Sequence, residues 1–300
     1  MYLSEKSVKE KKNMYTIKSR RIKIALLADI HSNHRALAAC LELLKEYAIN
    51  GIAFLGDYIS DFPYPQRTIE LLHDISSRYR TWFIRGNRED YMLSYRNGGE
   101  KWSYGSHHGS LLYTYENLRE ADFEFFSSMP ISMTVSPDGC ADFDISHGSR
   151  TNSRELIYPD TDTAYKLLSD SKCILCACAH THKPFIYNHG GKCLINPGSV
   201  GVPTSGSTKA ELAVIDFDGE AFIPTLLQAE YDIDAAVKDF YTSRLIENAN
   251  VWSRTIIGNI TTGRHINEEC LRLVDKISSD RGVPFGTEEV WQEAAKLLGI

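Results

Sequence analysis

Five short apolar runs, each ending in polar residues of a few kinds, constrain this chain more than any other feature of its sequence. The runs and the residues that follow them are "IALLA" with Asp29 and His31, "IAFL" with Asp57, "TWFI" with Asn87, "DFDI" with His147, and "ILCACA" with His180 and His182. Helix-like segments, such as 68–79 and 120–128, lie between several of the runs, and this alternation predicts an α/β architecture. Because ligand sites gather at the carboxyl ends of strands, we expect these polar residues to meet in one crevice.

Local patterns predict individual elements within this alternation. After the first run, Ser32 or Asn33 can cap a helix, and apolar residues at i, i+4, i+7 and i+11 from Leu37 to Ala48 form one helical stripe. The stretches "SPDG" (136–139) and "NHGG" (188–191) are typical of hairpin turns. The later half of the alternating region should therefore be richer in antiparallel strands.

Changes in sequence texture divide the chain into three predicted parts. Residues 1–20 contain a basic cluster without the apolar core of a signal peptide, and we interpret them as a flexible basic arm. Residues 21–230 carry the alternating runs and form the predicted core domain. Residues 231–300 are helix-like and poor in strand patterns, which predicts a helical extension packed on that core.

Composition narrows the classes of protein to which the chain can belong. Apolar residues make up 43% and charged residues 24% of the 300 positions, which is the ordinary globular range. The net charge of −6 argues against bulk nucleic-acid binding, which depends on neutralising phosphates. No apolar run approaches the ~18 residues of a membrane helix. The seven scattered cysteines favour a reduced cytoplasm, and Cys173 and Cys176 fit a buried strand better than a zinc site.

The polar residues after the strands form a set with clear metal-binding chemistry. In Asp-x-His and His-x-His the paired side chains share one face of an extended chain, so each pair can point at one ion. Seven ligands are too many for one tetrahedral ion but suit two divalent ions that share a bridging carboxylate, the clamp used in phosphoester hydrolysis. The seven candidate ligands are Asp29, His31, Asp57, Asn87, His147, His180 and His182.

The ordered series D-x-H, GD, GN, HG and H-x-H, followed by "INPGSVG" (195–201), resembles the calcineurin-like metallophosphoesterase superfamily over about residues 22–227. The resemblance implies two mixed β-sheets packed face to face and flanked by helices. It also implies two divalent transition-metal ions (Mn, Fe, Zn, Co or Ni) and in-line attack on phosphorus by a hydroxide that they hold. The ligands implied for the first ion are Asp29, His31 and His182, those for the second are Asn87, His147 and His180, and Asp57 bridges the two.

The sequence departs from the family pattern at two positions. Ala179 replaces a usual glycine, and Arg88 replaces the histidine that usually follows Gly-Asn and is thought to protonate the leaving group. An arginine cannot act as a general acid, but its guanidinium can donate hydrogen bonds to phosphate oxygens. This makes Asp57, Asn87 and Arg88 the candidate catalytic residues. Alternatively, Arg88 pairs with Glu89, Asp90 or a surface carboxylate.

Loss of that histidine is typical of a small bacterial phosphodiesterase branch, and the layout is similar to bacterial diadenosine tetraphosphate hydrolases within it. We therefore expect a phosphoanhydride or an activated phosphodiester as substrate. The expected partner is a small phosphorylated molecule, with a nucleotide as one option, and a homodimer is compatible with the sequence. A protein phosphatase and a catalytically weak binding scaffold are the alternative functions.

Other residues near these motifs have open interpretations. His107 and His108 are candidates for a replacement acid, although an exposed loop or helix start is the favoured interpretation. The aromatic residues Tyr58, Phe62 and Tyr64 lie in or beside "DFPYPQR" and are candidates for stacking on a base. The C-terminal helices are expected to shape the substrate pocket.

Overall fold

The computed structural model describes residues 21–300, so the predicted basic arm at residues 1–20 lies outside the described residues. The strands are β1 (Ile22–Leu27), β2 (Gly51–Phe54), β3 (Arg80–Phe83), β4 (Ser132–Val135), β5 (Phe143–Ser146), β6 (Leu175–Ala177), β7 (Phe185–His189), β8 (Lys192–Asn196), β9 (Ala210–Phe217) and β10 (Phe222–Ala229). The helices are α1 (His34–Leu44), α2 (Pro65–Arg78), α3 (Asn87–Arg96), α4 (Gly109–Glu116), α5 (Glu120–Ser128), α6 (Asp162–Asp170), α7 (Ile233–Thr242), α8 (Leu245–Thr262), α9 (Ile266–Arg281) and α10 (Glu288–Leu298).

The strands form two mixed five-stranded sheets, which confirms the predicted architecture. The first sheet has the order β10-β9-β1-β2-β3, and the second has the order β4-β5-β6-β8-β7. In the first, β1, β2 and β3 are parallel, whereas β9 runs antiparallel to β1. In the second, β5, β6 and β8 are parallel, so the carboxyl ends of six neighbouring strands can supply one site.

Alternation along β1 shows why the two sheets pack face to face. Ile24 and Leu26 belong to a buried cluster that also contains Ile145 and Leu175 of the second sheet. The intervening residues of β1 belong to a different cluster, formed with α1, α2 and α5 on the outer face. Successive side chains of a strand point to opposite faces. Since both faces of β1 are buried, its sequence is a nearly continuous apolar run.

A helix covers the outer face of the second sheet as well. Leu167 and Leu168 of α6 pack with Cys176, Cys178 and Leu194. The molecule is therefore layered as helix, sheet, sheet and helix. Cys176 and Cys178 act here as small buried hydrophobic residues, and the cysteines of the described chain form no disulfide.

Several predicted elements are confirmed with shifted ends. Asn33 caps α1 through its side chain, which accepts from the Ala36 amide. The helix ends at Leu44, so Ala48, in a left-handed conformation beyond it, is not part of the predicted stripe. Helix α2 begins before residue 68 because Pro65 occupies its first turn, where a missing N–H costs nothing. Both predicted hairpins are present, as β4–β5 and β7–β8.

Helices α7 to α10 follow the second sheet and pack around a buried cluster of their own. That cluster includes Phe240, Ile256 and Trp291 from the helices, together with Phe62 and Val202 from loops near the strand ends. No helix within residues 21–300 is both long and apolar enough to cross a membrane.

Candidate metal centre

The backbone of the candidate ligands is strained. Asp29, His31, Asp57, His180 and His182 all have positive φ, between 51° and 66°. Such a conformation is uncommon for residues other than glycine, and strain of this kind persists where the surroundings hold it and clusters at functional sites. The five residues come from three separate loops, so the strain is shared by the whole strand-end region.

Backbone hydrogen bonds join these loops to one another. The amide of Asp29 donates to Gly56 O (3.1 Å), and the amide of His31 donates to Asp57 O (3.0 Å). The "INPGSVG" loop completes the arrangement, because the Gly201 amide donates to Asp29 O (2.9 Å) and Ser199 Oγ donates to the same carbonyl (2.8 Å). Each ligand loop is therefore positioned by a neighbouring loop.

The first group of ligand atoms combines Asp29, His31 and His182, whose atoms lie within 4.8 Å of one another. The Nε2 atoms of the two histidines are 3.1 Å apart, and His182 Nε2 is 3.6 Å from Asp29 Oδ1. His182 Nδ1 lies 2.8 Å from Val202 O, where it can donate. That contact fixes the proton on Nδ1 and leaves the Nε2 lone pair facing the group.

The second group combines Asp57, His147 and His180, also within 4.8 Å. His147 Nε2 is 3.4 Å from Asp57 Oδ1 and 3.1 Å from Asn87 Oδ1. His147 Nδ1 lies 2.7 Å from Leu55 O, so Nε2 again faces inward.

Asp57 lies between the two groups. Its Oδ1 faces His147 at 3.4 Å, and its Oδ2 faces His31 at 3.8 Å. One carboxylate thus presents one oxygen to each group of candidate ligands. The structure brings all seven predicted ligands together, with Asn87 beside the second group.

The donor set fits divalent ions. Asp29 Oδ1 is fully buried and has no hydrogen-bond partner among residues 21–300, which is costly for a carboxylate unless a cation meets it. Burial raises the pKa of Asp29 to about 7 although His147 acts against it. Burial also lowers the pKa of His180 to about 4 and that of His182 well below its usual value. Both histidines are therefore neutral at physiological pH, the form that binds metals.

Arg88 lies at the edge of this centre, with its guanidinium held by a buried carboxylate that the motifs did not indicate. Its Nη2 donates to Asp61 Oδ2 at 2.9 Å, and its Nε is 3.9 Å from Asp57 Oδ2. Burial lowers the pKa of Arg88, but Asp61 and Asp57 outweigh it and the net change is upward. The arginine therefore stays charged, with 17% of its side chain exposed.

The alternative pairing of Arg88 with its sequence neighbours is wrong. The carboxylate of Glu89 accepts three backbone N–H groups, from Gly86 (2.8 Å), Asp57 (2.9 Å) and Tyr58 (2.8 Å). Asp90 instead accepts from Arg85 at 2.6 Å. Glu89 thus ties the Gly-Asn turn to the loop of the bridging aspartate.

Asp61 connects several parts of the molecule. Its Oδ2 also lies 2.9 Å from His31 Nδ1, so it orients a candidate ligand. Its Oδ1 accepts from Trp252 Nε1 of α8 at 2.8 Å. The only sequence signal for this residue is an acid four positions after Asp57, which is too common to stand out.

A cavity of about 490 Å³ opens beside the second group of ligands. Asn87, Arg88 and His180 line it at the metal end. His107 and His108 line its other end, and burial lowers the pKa of both, that of His107 to about 4. Histidines that are already neutral near pH 7 have no proton to donate there, which argues against the replacement-acid interpretation.

The aromatic residues predicted to stack on a base lie elsewhere. Tyr58 is fully buried, and its hydroxyl hydrogen-bonds to Phe54 O and Ile84 O. Phe62 is 2% exposed and packs on Phe240, because "DFPYPQR" runs beneath the C-terminal helices. Tyr64 contacts Arg67, which stacks over its ring, outside the cavity lining.

Comparison with known proteins agrees with this geometry. The family model described as "Calcineurin-like phosphoesterase superfamily domain" matches residues 22–220. "Uncharacterized protein MJ0912" of Methanocaldococcus jannaschii is 29% identical over 243 residues, which cover 75% of this chain and 94% of that protein.

Two solved structures share the fold. "Hypothetical protein PH1004" of Pyrococcus horikoshii has a TM-score of 0.68 at 24% identity, covering 81% of this chain and 98% of that one. A metallophosphoesterase from Sphaerobacter thermophilus has a TM-score of 0.65 at 22% identity, covering 81% of this chain and 100% of that one. With the match of the family model over residues 22–220, these findings show that the chain belongs to the calcineurin-like phosphoesterase superfamily.

Proposed function

We propose that the protein is a dinuclear metal-dependent phosphoesterase that hydrolyses a phosphoanhydride or a phosphodiester. The observation that carries the proposal is the position of Asp57, whose two oxygens face two separate groups of nitrogen and oxygen ligands. The groups to hold the ions are Asp29, His31 and His182 on one side and Asn87, His147 and His180 on the other, with Asp57 shared.

Bound divalent ions, with manganese as a first candidate, would polarise phosphate oxygens and make a nearby water acidic enough to act as a nucleophile near neutral pH. The protein's own contribution is to hold the ligands rigidly. Leu55 O and Val202 O fix the orientation of two histidines, and Glu89 ties the loop of Asp57 to the Gly-Asn turn through three N–H groups.

Arg88 supports the choice of substrate. Its charged guanidinium faces the cavity beside Asn87 and His180, so it can donate to phosphate oxygens while Asp61 holds it from behind. It cannot protonate a leaving group. Leaving groups that are stable as anions, those of anhydrides and aryl esters, are therefore favoured over alkoxides, and a dinucleoside polyphosphate is one substrate of this class.

A direct test compares substrates on protein of known metal content. The protein is loaded with Mn²⁺ or Co²⁺, bound metal per chain is quantified, and hydrolysis of diadenosine tetraphosphate, a bis-aryl phosphate and glycerol phosphate is measured. We expect two ions per chain and turnover of the first two substrates at least about 10²-fold faster than that of the alkyl monoester, since a general acid typically contributes that much.

Other results would favour the alternative functions. Absence of hydrolysis by the metal-loaded protein would favour a binding scaffold, and turnover of phosphopeptides at a higher rate would favour a protein phosphatase. Near-equal rates on the anhydride and the alkyl monoester would contradict the role given to Arg88. A cytoplasmic location and a homodimer stay predictions of the sequence.

A further inference from the structure

Much of the cavity lining outside the candidate metal ligands consists of aromatic rings in mutual contact. Tyr95 and Trp102 are stacked with ring centroids 4.3 Å apart and planes 16° apart. His107 and His108 are stacked at 3.7 Å, and His107 lies 5.8 Å from the ring of Trp291. We call these five residues, together with Trp252, the aromatic wall. All six line the cavity.

The aromatic wall faces a charged end. Arg88 lies there beside the candidate ligands, and Arg154 also lines the cavity. Both guanidinium groups lie over the ring of Tyr91, at 5.9 Å and 4.5 Å from its centroid. One end of the cavity therefore offers positive charge for a phosphate, and the other offers flat, polarizable surfaces.

The wall is not simply part of the core. Trp252 and Trp291 belong to the buried cluster of the C-terminal helices, but the other four members of the wall are all partly exposed. Because the pKa of His107 and of His108 is lowered, both rings are neutral near pH 7 and present an uncharged stacking surface. Partly exposed rings around an open cavity are available to a ligand.

The backbone of α8 is strained beside this wall. Within α8, Asn250 has φ 32° and ψ −107°, a break in the helix that precedes Trp252. The break is closed by the segment before α4, where Ser106 Oγ accepts from the Val251 amide (3.1 Å) and the Gly105 amide donates to Asn248 O (2.8 Å). Gly109 makes this approach possible, because a Cβ there would lie 2.0 Å from Asn248 O.

This strained contact fixes the position of Trp252. The indole lines the cavity and donates to Asp61, the same carboxylate that holds Arg88. Trp252, Leu271 and Trp291 all lie beyond residue 220, where the family model ends. The wall thus combines four residues from within the family-model match with two, Trp252 and Trp291, from the C-terminal helices.

We propose that the cavity binds a nucleoside phosphate, with its phosphate at the metal end near Arg88 and Arg154 and its planar base against the aromatic wall. The volume of about 490 Å³ is in the range of small-molecule sites and is large enough for a purine nucleotide. Stacking on aromatic rings suits any base, because every base has a π-face. This inference rests on the proposed function for the statement that the phosphate is the group hydrolysed.

Intrinsic fluorescence can test binding without turnover. Of the four tryptophans, Trp102, Trp252 and Trp291 line the cavity, whereas Trp82 lies on β3 beside Arg80. Metal-free protein in EDTA is titrated with adenosine monophosphate and, separately, with ribose 5-phosphate, which lacks only the base. We expect saturable quenching by the nucleotide and an affinity for ribose phosphate at least about tenfold weaker, since stacking supplies the difference.

Variants of Trp102 localise the signal. Trp102→Ala should weaken nucleotide binding about tenfold, whereas Trp102→Phe, which keeps a stacking ring, should restore most of it. Trp82→Phe is the matched control and should leave the affinity unchanged. Equal affinity of the wild type for the two ligands, or equal losses in Trp102→Ala and Trp82→Phe, would overturn the assignment.

The metal-loaded protein separates this inference from the proposed function. If the base site is correct, KM for adenosine triphosphate is at least about tenfold lower than KM for inorganic triphosphate, and Trp102→Ala removes that difference. Equal KM values with active enzyme would overturn the base site and leave the phosphoesterase intact. Nucleotide quenching without any hydrolysis would support the base site and overturn the phosphoesterase.

Discussion

The two ends of the cavity are built in different ways. The metal end consists of short loops that directly follow strands, and its aspartates and histidines are held by backbone carbonyls and amides only a few residues from a strand. The aromatic wall comes from α3 and the segment that follows it and from α8 and α10, which are far apart in the chain. The comparison indicates that the candidate metal ligands depend on the ends of the strands, whereas the proposed base site depends on helices that pack together over long distances in the chain.

Asp57→Asn should produce the largest effect, because it removes the charge shared by both ligand groups. We expect turnover to fall by at least about 10³-fold, more than the loss of a single electrostatic contact. Bound metal per chain and kcat are the measurements. Asp138→Asn, at a carboxylate that is 98% exposed, is the control. Full activity in Asp57→Asn would contradict the two-ion arrangement.

Arg88→Ala and Arg154→Ala compare two arginines that lie over the same tyrosine. We expect kcat on an anhydride to fall by about 10²-fold in Arg88→Ala, as for loss of a preorganised charge contact. Arg154 is exposed and, within the described part of the chain, is not held by a buried carboxylate, so Arg154→Ala should mainly raise KM. Equal losses of kcat in the two variants would mean that Arg88 has no special place in the reaction.

Asp61→Asn tests the connection between the two ends. Asp61 contacts Arg88, His31 and Trp252, so it acts as a positioning residue for both regions. We expect metal affinity or activity to fall by about 10-fold to 100-fold, as for other residues that orient a metal ligand. Apparent Mn²⁺ affinity and kcat are measured separately.

Trp252→Phe is the matched variant for Asp61→Asn. It removes the hydrogen bond to α8 and leaves the contacts of Asp61 with Arg88 and His31 in place. It should therefore alter nucleotide KM while Mn²⁺ affinity stays at the wild-type value. If both variants change Mn²⁺ affinity equally, the aromatic wall and the candidate metal ligands do not act independently of each other.

The smallest expected effect concerns the aromatic wall and pH. Because burial and His108 lower the pKa of His107 in the folded protein to about 4, the unfolded state binds more protons between that pH and the usual histidine pKa of 6.5. The free energy of unfolding should therefore decrease as pH falls through this window.

His107→Gln should lose less unfolding free energy over the same window than the wild type. Chemical denaturation at several pH values measures the difference, with His189→Gln, at an exposed position on β7, as the control. Parallel pH curves for the wild type and His107→Gln would show that this ring is not held in its neutral form by the wall.

The sequence by itself determined the parts of the molecule that depend on local order. Apolar runs alternating with helical patterns indicated the two-sheet architecture, and the polar residues that end those runs are the ones that the structure brings together. This works because a residue directly after a strand is carried to the sheet edge whatever the rest of the chain does. The sequence-based predictions were wrong where burial depends on residues distant in the chain. Tyr58 and Phe62, which we expected to stack on a base, are core residues.

Only the tertiary structure decided what surrounds the metal ligands. The partner of Arg88 is Asp61, 27 positions earlier, and Asp61 in turn accepts from Trp252, 191 positions later. A sequence pattern carries no signal for such a pair, because its geometry follows from how α8 breaks and packs and not from spacing along the chain. The motifs therefore specified the candidate metal ligands, whereas the long-range packing of the C-terminal helices decided the shape of the cavity beside them.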